Sequence, residues 1–216
     1  MENYTTILFD LDGTIVDSGE GVTNSVVYAL GKLGIELEDK STLSRFIGPP
    51  LVYSFKTFYG FDDEGAMRAI ELYREYYTTK GILEGYIYDG IEALLKLLKN
   101  AKKRLILATS KPEIFAKQIL DDAGLTKYFD FIAGASMDEK TRNTKEAVLE
   151  YAIKEANIDT SSSIMVGDRF YDVEGARAFG MDCIGVLYGY GSKQELELHG
   201  AKYIAKTPRE VAEILL

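Results

Sequence analysis

The feature that most constrains this chain is the spacing of its short apolar runs. Residues 4–9, 105–108, 131–133, 163–166 and 182–186 are each too short for a helix, and most end on a turn or polar residue. That is the pattern of strands buried on both faces of a sheet. Between the later runs, residues 90–100, 113–123, 144–156 and 172–179 carry helical spacing. The strand–helix alternation predicts a three-layer α/β fold, a doubly wound, Rossmann-like parallel sheet with helices on both faces. A further strand is expected at 202–205 and a last helix at 208–216, with Thr207 as its N-cap and Pro208 in the first helical position.

One interval breaks the alternation. From Ile15 to Ile87 there is no convincing strand, only helical patterns such as 21–33 and 63–78. A stretch this long is no single crossover helix, so it predicts an inserted α-helical domain over 15–87, carried by a core made of 1–14 and 88–216. Both linkers would leave near the C-terminal end of the first strand. Open α/β sheets bind ligands outside the carboxyl ends of their strands, so the insertion is expected to cover the site.

Charge and composition narrow the partners. Lys and Arg number 25 against 34 Asp and Glu, a net charge of −9 that repels a nucleic-acid backbone at long range. Cys183 is the single cysteine and cannot form an intramolecular disulfide. No stretch approaches the ~18 apolar residues of a membrane span. The expectation is a cytoplasmic protein, monomer or homodimer, with neither nucleic acid nor membrane as partner.

Four strand ends carry polar groups that one sheet would gather. The first run drives into Asp10-Leu11-Asp12-Gly13-Thr14. In extended chain Asp10 and Asp12 share a side, and two carboxylates so close call for a cation between them. Mg²⁺, a hard ion that shares its sites with phosphate, meets that need. The alternative is an ordinary Asp-Gly turn. The second signal is Gly167-Asp168-Arg169-Phe170-Tyr171-Asp172, in which Asp168 would complete the acidic cluster. Asp172 would bind through water or orient the loop, unless it is simply a first-turn helix acid. The third is Thr109-Ser110 ahead of a helix, a phosphate-oxygen site or a plain N-cap. The fourth is Lys145, badly placed for the helix dipole at a helix start and so suggestive of a fixed anionic partner, with Lys140 and Arg142 as competitors.

With these four in order, the sequence closely resembles the haloacid dehalogenase superfamily, and within it the phosphatases with a helical cap inserted after the first strand. The Asp-x-Asp-Gly-Thr motif stands unaltered at Asp10 to Thr14, and the Gly-Asp motif with its second Asp at Gly167, Asp168 and Asp172. The motif Thr maps onto Thr109 and the motif Lys onto Lys145, without the Lys-Pro pair that many members carry there. The resemblance implies a phosphomonoester hydrolase in which Asp10 is the nucleophile and Asp12 the acid and base. Thr109 and Lys145 would stabilise the phosphoryl group, with Gly13, Thr14 and Ser110 completing its binding. Mg²⁺ would be held by Asp10, Asp168, Asp172 and, through its main-chain carbonyl, Asp12.

Within the insertion, Ser44-Arg45-Phe46-Ile47-Gly48-Pro49-Pro50-Leu51 interrupts the helical pattern and reads as a rigid loop. Similar Ile-Gly-Pro segments occur in the phosphoglycolate phosphatase and nucleotidase branches, which makes Arg45 and Gly48 candidates for substrate contact. A surface arginine at a helix junction is the competing reading. The substrate would be a small phosphorylated metabolite: phosphoglycolate, a nucleoside monophosphate or a sugar phosphate. A phosphomutase of the β-phosphoglucomutase type shares all four motifs. A receiver-like signalling module would need neither the Asp-Gly-Thr turn nor the large insertion.

Overall fold

Ile7, Leu8 and Phe9 are all fully buried, because the strand that carries them lies inside a sheet covered on both faces. The computed structural model describes residues 4–37 and 39–216; residues 1–3, which the sequence reading assigns to the core, lie outside them. The chain runs through β1 (Thr6–Phe9) and a short β2 (Val16–Asp17) to three helices, α1 (Gly19–Lys32), α2 (Leu51–Tyr59) and α3 (Asp63–Tyr77). It returns by β3 (Tyr86–Ile87), then alternates: α4 (Ile91–Asn100), β4 (Arg104–Pro112), α5 (Glu113–Asp122), β5 (Phe131–Ala135), α6 (Lys145–Glu155), β6 (Ser163–Gly167), α7 (Phe170–Ala178). It ends with β7 (Asp182–Val186), α8 (Lys193–His199), β8 (Tyr203–Ala205) and α9 (Pro208–Leu215).

Six strands form a parallel sheet in the order β5-β4-β1-β6-β7-β8. Period-2 alternation divides its side chains between two cores. Ile7 and Phe9 pack with Leu94, Leu98, Leu120 and Val211 of α4, α5 and α9. Leu8 and Ile106 face Val148, Leu149, Val173 and Ala176 of α6 and α7. The order reverses at β1, whose two neighbours β4 and β6 leave a crevice at their carboxyl ends.

Two compact units result, one of residues 4–16 with Ile87–Leu216 and one of Asp17–Tyr86. In the second, Val26, Ala29 and Leu30 of α1 and Ala69, Ile70 and Tyr73 of α3 are buried, and Gly21 is there because any Cβ would stand 1.9 Å from the Gly81 carbonyl. Phe46 packs edge-on against Phe55 and Phe58. Among the described residues no helix is long and apolar enough to cross a membrane.

The structure departs from the sequence reading at two helices. α2 begins directly after Pro50 and ends at Gly60 in the left-handed region. Proline is barred from a helix interior but not from its start, so the Pro-Pro pair opens a helix where it had suggested only a loop. α8 spans Lys193–His199 and buries only Leu196, so it carries no apolar stripe to detect. The last helix does start at Pro208, with the Thr207 hydroxyl accepting from Glu210 N at 3.2 Å.

β4 also runs further than its apolar residues suggest. It continues to Pro112, with a shift in register between Thr109 and Pro112 against β5. Gly134 on β5 makes that irregular end possible: a Cβ there would lie 2.5 Å from Glu113 Cα and 2.8 Å from the Lys111 carbonyl. Both neighbours are backbone and cannot swing aside. Gly134→Ala is therefore expected to cost about 1–3 kcal/mol in urea unfolding. Wild-type stability of that variant would show that the strand end yields.

Candidate active site

Asp10 is the first residue past β1, and its backbone N donates to the Val166 carbonyl of β6 at 2.9 Å. Its carboxylate is buried and receives the Lys145 ammonium at 2.8 Å. The same ammonium lies 2.8 Å from Asp172 Oδ1 and donates to the Ala108 carbonyl at 3.0 Å. Lys145 thus occupies a helix start unfavourable to a cation because two carboxylates hold it there. Its stem passes Gly175, where a Cβ would come within 2.7 Å of it.

Asp168 follows β6 and is fully buried. Tyr190 N donates to its Oδ2 at 2.7 Å, while its Oδ1 is buried without a hydrogen-bond partner. Asp172 sits in the first turn of α7 and accepts from Arg169 N at 3.1 Å, so both of its expected helix-start and site positions are occupied at once. Carboxylate oxygens of Asp10, Asp168 and Asp172 lie within 4.8 Å of one another.

The carboxylate of Asp12 stands outside that cluster. Lys111 Nζ donates to both its oxygens at 2.9 Å. β1 has already ended at Phe9, and the chain turns at Gly13 (φ +81°) under three N–H bonds to the Leu11 carbonyl. Strict alternation therefore does not carry Asp12 to the side of Asp10. Lys111 escaped the sequence reading; the available signal was a lysine, followed by Pro112, just past the Thr109 strand end. The hydroxyl of Thr109 is buried and accepts from Lys111 N at 3.2 Å. Thr14 is fully buried with its hydroxyl unpartnered, and Ser110 is half-buried.

The competitors of Lys145 have other work. Arg142 donates to the Gly134 carbonyl and to Glu113, and lies 3.9 Å over the Tyr151 ring; Lys140 is exposed. Arg45 and Gly48 belong to the Asp17–Tyr86 unit. There Arg45 is exposed and lies 4.2 Å over the Phe58 ring, and Gly48 has φ +102°.

One ammonium pairs with two of the three buried carboxylates, and the balance is visible in the protonation of Asp10, Asp168 and the lysine itself. Burial pushes Asp10 up from 3.8 to about 6, against the pull of Lys145 and with the repulsion of Asp172. Burial, then Asp172 and Asp10, push Asp168 well above the carboxylate range. Burial opposes the charge of Lys145, yet Asp10 and Asp172 hold it above the ordinary lysine range. An all-oxygen donor set with excess negative charge and an unpartnered oxygen fits a hard divalent cation.

The description "Haloacid dehalogenase-like hydrolase" belongs to the family whose model matches residues 7–186. A 5'-nucleotidase of Pseudomonas aeruginosa is 42% identical over 196 residues, 91% of this chain and 88% of that protein. The tyrosine-protein kinase PtkA of Mycobacterium tuberculosis is 38% identical over 190 residues, 88% of this chain but 64% of that longer protein. A crystal structure of a "predicted phosphatase" from Clostridium acetobutylicum is 49% identical with a TM-score of 0.96, covering 99% of this chain and 98% of that one.

The raised carboxyls set a pH dependence. Because Asp10 titrates near 6 when folded and near 3.8 when unfolded, the folded state binds the extra proton between those values. Stability from this group therefore falls as pH rises from about 4 to about 6. Asp168 acts in the same direction. In thermal melts in EDTA, wild type is expected to lose stability relative to Asp10→Asn across this window. Parallel pH profiles for the two proteins would contradict the burial argument.

Proposed function

The chain belongs to the haloacid dehalogenase-like hydrolase family, and on that footing we propose that it hydrolyses a small phosphate monoester with Asp10 as nucleophile and Mg²⁺ as cofactor. The observation that carries this reading is the position of Asp10 at the sheet's switch point, bonded to Lys145 and gathered with Asp168 and Asp172.

In the first step an Asp10 oxygen attacks phosphorus and the bond to the ester oxygen breaks, leaving an aspartyl-phosphate. Asp12, oriented by Lys111, gives its proton to the departing oxygen. In the second step Asp12 takes a proton from the water that attacks phosphorus, and the Asp10–phosphorus bond breaks to release inorganic phosphate. Lys145 and the Thr109 hydroxyl neutralise and orient the phosphoryl oxygens, which is most of what phosphoryl transfer requires. Asp10, Asp168, Asp172 and the Asp12 main-chain carbonyl would hold Mg²⁺, which supplies further charge neutralisation when bound.

The substrate class in this reading is a small phosphorylated metabolite, and the similarity to a 5'-nucleotidase puts nucleoside monophosphates first in any panel. Substrate choice is assigned to the Asp17–Tyr86 unit, with Arg45 and Gly48 as the candidates. Phosphate release from nucleoside monophosphates, phosphoglycolate, sugar phosphates and p-nitrophenyl phosphate is expected to require Mg²⁺. Asp10→Asn is expected to lose at least about 10³-fold in kcat. Asp12→Asn should accumulate acid-stable phosphoprotein from an activated aryl phosphate. Steady-state turnover by Asp10→Asn near the wild-type rate would overturn the assignment.

A further inference from the structure

We propose that residues 188–191, Tyr188-Gly189-Tyr190-Gly191, form a strap that positions Asp168 for the cation, with the main-chain N–H of Tyr190 deciding which carboxylate oxygen is offered. The proposal rests on the metal-dependent reading above and names a part of the chain that the motifs do not include.

The strap follows β7 and touches two pieces of the site at once. A Cβ at Gly189 would lie 2.2 Å from the Gly13 carbonyl and 2.4 Å from Asp168 Cβ; one at Gly191 would lie 1.8 Å from the Asp168 carbonyl. Only chain without side chains passes this close. Gly13 also lines the slot, where a Cβ would come within 2.2 Å of Asp168 Oδ2. Tyr188 anchors the strap by packing its ring edge-on against Tyr88, with centroids 5.1 Å apart.

Inside the slot the two oxygens of Asp168 are made unequal. Oδ2 takes the Tyr190 N–H at 2.7 Å, and Oδ1 is left buried and unpartnered. A carboxylate with two equivalent oxygens turns about its last bond, so this one N–H, with glycine backbone packed against the side chain, fixes its orientation. An unpaired buried oxygen costs free energy unless a ligand completes it. The strap thus keeps one oxygen for itself and reserves the other for the cluster with Asp10 and Asp172.

The test reads cation binding rather than turnover. Mn²⁺ titrations followed by the EPR signal of the free ion compare wild type with Tyr190→Pro, which deletes the N–H, and Tyr190→Phe, which keeps it. Gly189→Ala is a second disruption of the slot, and melts in EDTA establish which variants fold. Tyr190→Pro, or Gly189→Ala where the proline variant does not fold, is expected to weaken Mn²⁺ binding about tenfold or more, and Tyr190→Phe to stay within about twofold. Folded Tyr190→Pro and Gly189→Ala that bind Mn²⁺ as wild type does would overturn the strap while leaving the metal reading intact. Equal weakening by Tyr190→Phe would also overturn it. Wild type that binds no Mn²⁺, or Asp168→Asn that binds as tightly as wild type, would overturn the metal reading itself.

Discussion

A single ammonium shared between two buried carboxylates holds the centre of this molecule together. Lys145 reaches Asp10 and Asp172 at 2.8 Å each, and so ties the end of β1, the start of α6 and the first turn of α7. Desolvating such groups is costly, and the Coulombic return is large only where the partners are close and bonded. The arrangement leaves charge unbalanced on Asp168 and Asp10, whose protonation is shifted by burial. Shifted, buried acids gathered in this way could hold a cation.

A second lysine separates the acids of the opening motif. Lys111 holds Asp12 apart from the cluster, so the two carboxylates, two residues apart in sequence, have separate cationic partners from separate elements. In the mechanism proposed above, a nucleophile and a proton carrier need different environments to do different work. The turn at Gly13 and the irregular end of β4 supply that difference in backbone before any side chain is considered.

Much of this was legible in the amino-acid sequence, for identifiable reasons. A buried parallel strand reads as an apolar run, and a polar residue at its end stands out, so Asp10, Thr109 and Asp168 were singled out as candidates by pattern, with the family resemblance to choose between site and turn. Lys145 was singled out because it offended the helix dipole, with Lys140 and Arg142 as competitors until the resemblance favoured it, and the structure brings its ammonium to Asp10. Lys111 offended nothing: a lysine before a proline is ordinary, and its distance to Asp12 exists only once β1 and β4 lie side by side. The close contacts that require the glycines were equally silent. Gly167, for instance, is needed because a Cβ there would lie 2.2 Å from the Asp172 carboxyl carbon, a contact between a strand end and the following helix that spacing does not reveal. α2 and α8 escaped because one opens on a proline pair and the other is short and charged.

The two short strands β2 and β3 pair with each other, outside the six-stranded sheet. The helical unit therefore begins and ends at adjacent points on the chain's path, like a guest entering and leaving by the same door. Its length and content can change without disturbing the register of β1 against β4 and β6, on which the site residues depend. If substrate choice lies in that unit, as proposed, a fold so divided would let selection rewrite what is recognised while the chemistry is inherited unaltered.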